Sequence, residues 1–368
     1  MSSRLIYLDN LRSFALLLGL VFHTAIVYAE SVGYAIKSTE RSEIFDHFCF
    51  FIHSFRMPLF FFLSGYFSEM VWCKKGWRDY LETRTNRLLI PLIVGLILFA
   101  PIQYYLMSLI KAGSKTYFEY FFEFFSFAEF GLSHLWFLYY LVIYCFILVL
   151  IQFLTKLLRF KIKSPNMYLF LFFSITFSFA LVGNAVFPKG LRYLWIDPYL
   201  FIFYFSFFFA GILAYKNSAI FNDDSIGLWW KVVIFVLGFG LLALFEYSEK
   251  TDPLWMSFFW TKGWIRFFHL LIASLTAWGF IYFFIEFFKR FFQKETAVSV
   301  YLRDSSLPIY LIHHPISLVI GYLLLYIDIH LGFKFIFHTI SVFLFSFVIY
   351  DSIIVKSQIL RRLFGMKM

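Results

Sequence analysis

An arginine and a histidine lie eleven positions apart in the first apolar segment of the sequence, within LDNLRSFALLLGLVFHT. At 100° per residue, Arg12 and His23 fall on one face of an α-helix, about 16 Å apart along its axis. Asp9, three residues before Arg12, is placed to orient the guanidinium. A buried neutral imidazole is a usable general base at neutral pH. The pattern favours proton-transfer chemistry over its alternative, a structural histidine beside a snorkelling arginine.

The second apolar segment, FIHSFRMPLFFFLSGYFS, carries a further polar pair. His53 and Arg56 share a helix face through their i, i+3 spacing, and Pro58 predicts a kink because it lacks a backbone donor. Ionisable groups inside a membrane usually face a protein interior or a water-filled cavity. Ser64 lies outside any G-x-S-x-G elbow. We therefore interpret it as a packing residue, or as one bordering a gap for a ligand.

Two more arginines occur in the stretch RTNR, at the start of the third apolar segment. Arg84 and Arg87 can project together from one end of a helix, and two guanidiniums so placed suit a phosphate or a carboxylate. The alternative is a basic anchor that binds lipid headgroups.

The remaining histidines divide into candidates for a substrate path and candidates for the core. His134 begins a segment beside a tryptophan, which also fits an interfacial belt. His313 and His314 are adjacent in YLIHHP; they point about 100° apart on a helix, which predicts that they do not share a partner. His269 and His338 are isolated and are predicted to be core residues. The sequence lacks a H-E-x-x-H motif and a carboxylate cluster, so we expect no metal site.

The composition is that of a polytopic membrane protein. Of 368 residues, 61% are hydrophobic and 25% aromatic, while 15% are charged; a soluble domain is nearer a quarter charged. The net charge of +10 comes from short basic runs between apolar segments. This distribution favours membrane orientation over nucleic-acid binding. The three cysteines have neither paired nor metal-type spacing.

The segments long enough to cross a bilayer predict an all-α, polytopic fold with a single membrane-embedded domain over residues 1–368. Ten spans are predicted, at 11–30, 46–71, 88–110, 134–153, 166–187, 198–215, 228–247, 263–287, 305–326 and 333–355, with a further interfacial helix possible within 116–130. Lys and Arg are concentrated in alternate loops, which predicts that both termini are cytoplasmic. We expect an uncleaved first span, although residues 27–29 also fit a signal-peptidase site.

Five stretches, namely YLDNLRSFALLLGLVFHTAIVY, FIHSFRMPLFFFLSGYFS, RTNRLLIP, SHLWFLYYLV and PIYLIHHPISL, run from residue 7 to about residue 320. Through them the chain resembles the membrane acyltransferase 3 family, and within it the branch that acts on osmoregulated periplasmic glucans. The resemblance implies a bacterial inner-membrane enzyme, surrounded by lipid. It would transfer a succinyl or acetyl group from cytoplasmic acyl-CoA to an extracytoplasmic carbohydrate, without a permanently bound cofactor.

The same resemblance implies roles for individual residues. His23 would be the catalytic base or acyl relay, with Arg12 as its motif partner, and Arg84 and Arg87 would contact the CoA phosphates. The substrate path would be lined by His53, Arg56, Ser64, His134, His313 and His314.

A physical argument independently favours transfer, because acyl-CoA cannot cross a bilayer and a periplasmic sugar cannot enter. The reactive groups must therefore meet inside the protein. A transporter or flippase of a lipid-linked sugar is the alternative, since proline-broken spans fit it too. We find no paired halves in the sequence to support that alternative. A scaffold protein would not need Arg12, His23, Arg56 and His313 together.

Overall fold

The computed structural model describes residues 5–110, 115–125, 131–154, 165–187, 192–217, 232–233, 236–244 and 262–367. Within these ranges the secondary structure is helical, apart from an isolated bridge between Tyr193 and Ile196. The predicted all-α class is confirmed to that extent.

The α-helices are α1 Ile6–Ala25, α2 Glu43–Arg84, α3 Ile90–Leu98, α4 Ala100–Ile110, α5 Tyr117–Phe124, α6 Trp136–Leu154, α7 Pro165–Val186, α8 Pro198–Lys216, α9 Lys262–Phe291, α10 Ala297–Leu323, α11 Leu331–Ile349 and α12 Gln358–Leu363. Short 3₁₀ turns lie at Ser133–Leu135 and Leu324–Tyr326. Residues Thr85–Leu89 and Tyr350–Ile354 form π-helical turns.

Seven helical stretches among the described residues are long and apolar enough to cross a membrane, and Leu171–Val186 is a shorter apolar helix. The predicted spans 46–71 and 88–110 both fall within the continuous stretch Glu43–Ile110. The predicted span 228–247 lies partly outside the described residues; its described residues, 232–233 and 236–244, are helical. The total of ten spans and the cytoplasmic termini stay predictions.

The first helix begins and ends earlier than predicted. It covers Ile6–Ala25 rather than 11–30, because the backbone after it turns back: the carbonyls of Val27 and Tyr28 accept from the amides of Ser38 and Ser42. His23 therefore lies in the last turn of α1. At 1.5 Å per residue it is about 26 Å from the start of the helix.

Helix α2 keeps helical dihedral angles at Pro58, and its non-helical residue is Gly76, with φ 78° and ψ 178°. The kink at Pro58 stays a prediction, and the helical dihedral angles are interrupted at Gly76. A glycine adopts positive φ without a steric penalty, whereas a single missing donor is tolerated in a long membrane helix.

The chain forms two compact units. Unit 1 comprises Met1–Leu11, His53–Trp77 and Phe146–Lys294, and unit 2 comprises Arg12–Ile52, Arg78–Cys145 and Glu295–Met368. Helices α1, α2 and α6 contribute residues to both. In unit 1, the ring of Trp278 on α9 lies 5.4 Å from Phe172, 5.3 Å from Phe207 and 5.6 Å from Phe62. In unit 2, α10 packs against α3, α4 and α11.

Two glycines allow α2 and α8 to approach each other through their backbones in unit 1. A Cβ on Gly65 would lie 1.9 Å from the carbonyl oxygen of Phe208, and one on Gly211 would lie 2.0 Å from that of Phe62. Small residues permit such close helix packing in membrane proteins. Close packing, which was predicted for Ser64, is therefore found at its neighbour Gly65.

We expect Gly65→Ala to lower stability, because the added methyl group would meet backbone atoms that cannot rotate away. Overpacking of this kind costs about 1–3 kcal/mol, so the midpoint of thermal unfolding in detergent should fall. Gly240→Ala is the matched control, since Gly240 is helical in the same unit and a Cβ there would meet nothing within 4 Å. Equal midpoints for both variants would show that the close approach does not matter.

Candidate active site

Four histidines meet in unit 2, and we call them the histidine cluster: His23, His134, His313 and His314. His23 comes from the end of α1, His134 from the 3₁₀ turn before α6, and the other two from the middle of α10. The His23 ring centroid lies 4.7 Å from that of His314, 5.3 Å from that of His313 and 6.5 Å from that of His134. All four side chains are buried, with His23 the most exposed at 8%.

One expectation about these histidines was wrong. His313 and His314 were predicted not to share a partner, yet both rings contact His23 and His134. Their centroids are 6.1 Å apart, so side chains that diverge at the backbone leave space between them that other rings fill. His134, for which an interfacial belt was the alternative, is a member of the cluster. It is buried and stacks on His314 at 4.5 Å with an interplanar angle of 4°.

Sequence reasoning missed Tyr34, which joins two members of the cluster. Its hydroxyl lies 3.1 Å from Nδ1 of His23 and 2.6 Å from Nε2 of His314. Tyr34 belongs to the segment that connects α1 and α2, where periodicity gives no signal. It reaches His314 across 280 positions of sequence.

The segment that carries Tyr34 is held by two charged side chains. The carboxylate of Asp46, in the first turn of α2, accepts from the backbone amides of Glu30, Ser31 and Val32. The ammonium of Lys37 donates to the carbonyls of Ala29 and Val32. Hydrogen bonds to charged groups are stronger than neutral ones, so this short segment is ordered enough to position a hydroxyl.

Gln103 on α4 fixes the proton on His134. The Ser133 hydroxyl donates to the Gln103 amide oxygen, and the amide nitrogen then donates to Nδ1 of His134 at 3.1 Å. Because Nδ1 accepts, the proton of the neutral ring is on Nε2. Ser133 has φ 46°, and such backbone strain in a residue with a Cβ is concentrated at functional sites.

Helix α10 supplies polar groups to the cluster, from the side chain of Tyr310 and from its backbone. The Tyr310 hydroxyl donates to the carbonyl of His134 at 2.7 Å, and the Tyr310 carbonyl accepts from Nδ1 of His313 at 2.6 Å. Pro315 has no amide proton, so the carbonyl of Leu311 lacks its usual helical donor.

The cluster is not arranged as a metal site. Among the residues that the structure describes, no group of three His, Cys, Asp or Glu side chains could hold a metal ion. The stacking of His134 on His314 explains this for the cluster, since stacked rings present their faces to each other instead of converging their nitrogen lone pairs.

Arg84 and Arg87 also belong to unit 2 and lie at the junction of α2 with α3. Arg87 is within the π-helical turn Thr85–Leu89, a type of distortion frequent at functional sites. Both side chains are half-buried, and the guanidinium carbon of Arg84 lies 5.1 Å from the centroid of the Tyr80 ring. The charges of Arg84 and Asp304 both act on Arg87. The arrangement can bind an anion.

The other predicted site residues are not part of the histidine cluster. Arg12, in unit 2, is half-buried on α1. Asp9, Arg56 and Ser64 are buried in unit 1, at 4%, 6% and 8% exposure. His53, in the same unit, is exposed, so the i, i+3 neighbours His53 and Arg56 have different surroundings.

His338 confirms the prediction of a core histidine. It is fully buried, its Nδ1 lies 3.1 Å from the Tyr28 hydroxyl, and its Nε2 lies 2.9 Å from the Ser317 carbonyl. Both ring nitrogens therefore have partners within the protein.

Comparison with known proteins supports an acyltransferase. The chain is 26% identical over 332 residues, 86% of its length, to the "Glucans biosynthesis protein C" of Shigella dysenteriae serotype 1 (strain Sd197), of which 82% is covered. The proteins of the same name from Escherichia coli O139:H28 (strain E24377A / ETEC) and Escherichia coli (strain K12) give the same identity and coverage. No solved structure matches. The model of the acyltransferase 3 family, described as an acyltransferase domain, matches residues 5–353, and the chain therefore belongs to that family.

Proposed function

We propose that this protein transfers an acyl group from cytoplasmic acyl-CoA to a hydroxyl group of an extracytoplasmic glucan, within the bacterial inner membrane. The observation that carries the proposal is the buried histidine cluster around His23, in a chain of the acyltransferase 3 family. The glucan acceptor is suggested by the name of the relatives, "Glucans biosynthesis protein C". The donor follows from the need for an activated acyl group and from the paired arginines.

His23 is the proposed reacting group, and its reaction can follow one of two courses. In direct transfer, its Nε2 removes the proton of the acceptor hydroxyl while the oxygen attacks the thioester carbonyl. The C–S bond then breaks, and the thiolate takes the proton from the imidazolium. In a relay, Nε2 itself attacks the thioester and expels the thiolate. The acceptor hydroxyl then displaces the imidazole from the acyl group, and the proton of the hydroxyl passes to the thiolate. Both courses yield an ester and free CoA, and both need an unprotonated Nε2.

The other histidines of the cluster restrict where positive charge can form. Imidazolium groups with centroids about 5 Å apart in a buried site repel each other strongly. The cluster therefore holds at most one proton beyond neutrality, which it can pass between neighbouring rings. This keeps His23 neutral before the reaction and gives its acquired proton a nearby partner.

We derive the proposed positions of donor and acceptor from the predicted orientation of the chain in the membrane. With both termini in the cytoplasm, Arg84 and Arg87 lie towards the cytoplasmic side and hold the CoA phosphates. Arg12 lies on the cytoplasmic side of His23 along α1. His23, in the last turn of α1, lies towards the outer side. We assign Arg56, His53 and Ser64 to the path of the acceptor or the far end of the acyl group. A free carboxylate such as that of a succinyl group would suit Arg56.

The proposal is tested with the purified protein in detergent, radiolabelled succinyl-CoA or acetyl-CoA, and a glucan oligosaccharide. We expect labelled ester on the glucan and one free CoA thiol for each ester formed. An acid-quenched sample that carries label on the protein would select the relay over direct transfer. Binding of acyl-CoA or glucan without any release of thiol would contradict an acyltransferase and favour a transporter.

A further inference from the structure

The Tyr34 hydroxyl makes the protonation states of two histidines depend on each other. It contacts Nδ1 of His23 and Nε2 of His314, and a hydroxyl has one proton to donate. If Tyr34 donates to His314, it accepts from His23, whose neutral ring then has its proton on Nδ1 and a lone pair on Nε2. If Tyr34 donates to His23, the proton of that ring is on Nε2, and the ring cannot act as a base there.

The two distances favour the first arrangement. The contact with His314 is 2.6 Å, shorter than the usual range of about 2.7–3.2 Å for a bond donated by nitrogen and within that of bonds donated by a hydroxyl. The contact with His23 is 3.1 Å, which suits an N–H donor. Tyr34 therefore donates to His314 and accepts from His23.

The rest of His314 agrees with this assignment. Because its Nε2 accepts, its proton is on Nδ1, and this atom is buried without a hydrogen-bond partner among the described residues. A buried donor is rarely left unsatisfied. An oxygen of the bound substrate would satisfy it. Such an oxygen would lie beside His23, whose ring centroid is 4.7 Å from that of His314.

We propose that Tyr34 is a positioning residue that holds the proton of His23 on Nδ1, leaves Nε2 as the reacting atom and couples His23 to His314. The proposal rests on the proposed function of His23. The other ionisable rings that face His23 are His134, from the 3₁₀ turn, and His313, from α10. The Tyr34 hydroxyl lies 3.1 Å from Nδ1 of His23, which places it to set this tautomer.

Tyr34→Phe is the direct test, because it removes the hydroxyl and keeps the ring. We expect kcat to fall about tenfold to a hundredfold, the loss typical when the partner that orients a functional histidine is removed. The KM for acyl-CoA should not change, and the pH profile of kcat should be displaced from that of the parent. A purely structural role would change neither the pH profile nor kcat per folded molecule.

Tyr28→Phe is the matched control. Tyr28 lies six residues earlier, is in the same unit and contacts a buried histidine, His338, at 3.1 Å, but that histidine is not in the cluster. This variant should keep the parental kcat and pH profile per folded molecule. Parental kcat in Tyr34→Phe, or the same loss in both variants, would overturn the proposal.

A double-mutant cycle tests the coupling to His314. If Tyr34 acts with His314, the double variant Tyr34→Phe/His314→Gln should be little worse than the weaker of its two single variants. If the fold-loss of kcat in the double variant equalled the product of the losses in the two single variants, the two residues would act independently. That result would contradict the proposal. Absence of transfer in the parent protein would instead refute the proposed function itself, so the two failures are distinguishable.

Discussion

Replacing His23 by alanine is expected to abolish acyl transfer while the protein still inserts and accumulates in the membrane. The imidazole is the proposed base or relay, and loss of a general base costs about 10²–10⁴ in rate. The cavity left in the cluster would also leave Tyr34 without one of its two partners. The measurement is the rate of ester formation per folded molecule with saturating acyl-CoA and glucan.

The control for this variant is His338→Gln, which also removes a buried imidazole from unit 2. Tyr28 and Ser317 are hydrogen-bond partners of the two ring nitrogens of His338 within the core. We therefore expect His338→Gln to lower the thermal stability and to leave the rate per folded molecule unchanged. If His23→Ala retained transfer near the parental rate, the histidine cluster would be structural.

Replacing Arg84 and Arg87 by alanine is expected to impair the use of acyl-CoA more than the use of the acceptor. Each lost charge-assisted hydrogen bond to a phosphate should cost about 1.5–3 kcal/mol, which lowers kcat/KM for acyl-CoA about tenfold or more. The KM for the glucan should stay near the parental value. The measurement is a pair of saturation curves, one for each substrate.

Arg362→Ala provides the matched control, since Arg362 is an exposed arginine of the same unit on α12. It removes one positive charge from a residue outside the turn Thr85–Leu89, and its acyl-CoA kinetics should equal those of the parent. Unchanged kinetics in both Arg84→Ala and Arg87→Ala would leave the pair as an anchor for lipid headgroups.

The members of the histidine cluster were recognisable from the sequence, whereas their mutual contacts were not. His23, His134, His313 and His314 were each found because an ionisable side chain in an apolar segment is costly. That argument treats each residue separately and gives no distances between helices. Helix geometry led to the wrong expectation for His313 and His314. It describes the directions of side chains at the backbone and not where neighbouring rings fill space.

Neutral polar partners were missed for a different physical reason. Tyr34 and Gln103 carry no charge, and tyrosine and glutamine are tolerated near membrane interfaces, so neither stands out in the sequence. Tyr34 is positioned by the carboxylate of Asp46 and the ammonium of Lys37. Such contacts depend on how a non-periodic segment folds, which hydrophobic patterning does not predict.

The helical class followed directly from the apolar segments, while helix ends and breaks did not. Helix α1 ends at Ala25 because of backbone hydrogen bonds made by the segment after it, although apolar residues continue to Ala29. Likewise, α2 breaks at Gly76, where the glycine permits a positive φ. Both outcomes depend on local backbone hydrogen bonding and sterics, which act on a finer scale than mean hydropathy.

In the proposed function, one protein joins a donor and an acceptor that lie on opposite sides of the membrane. The most direct test of this function is a proteoliposome with the glucan trapped inside and acyl-labelled acyl-CoA added outside. The proposed mechanism predicts labelled ester on the internal glucan with the parent protein, free CoA outside, and neither with His23→Ala. Intact acyl-CoA inside the vesicles, or internal glucan that stays unlabelled while the parent protein is folded and correctly inserted, would contradict it.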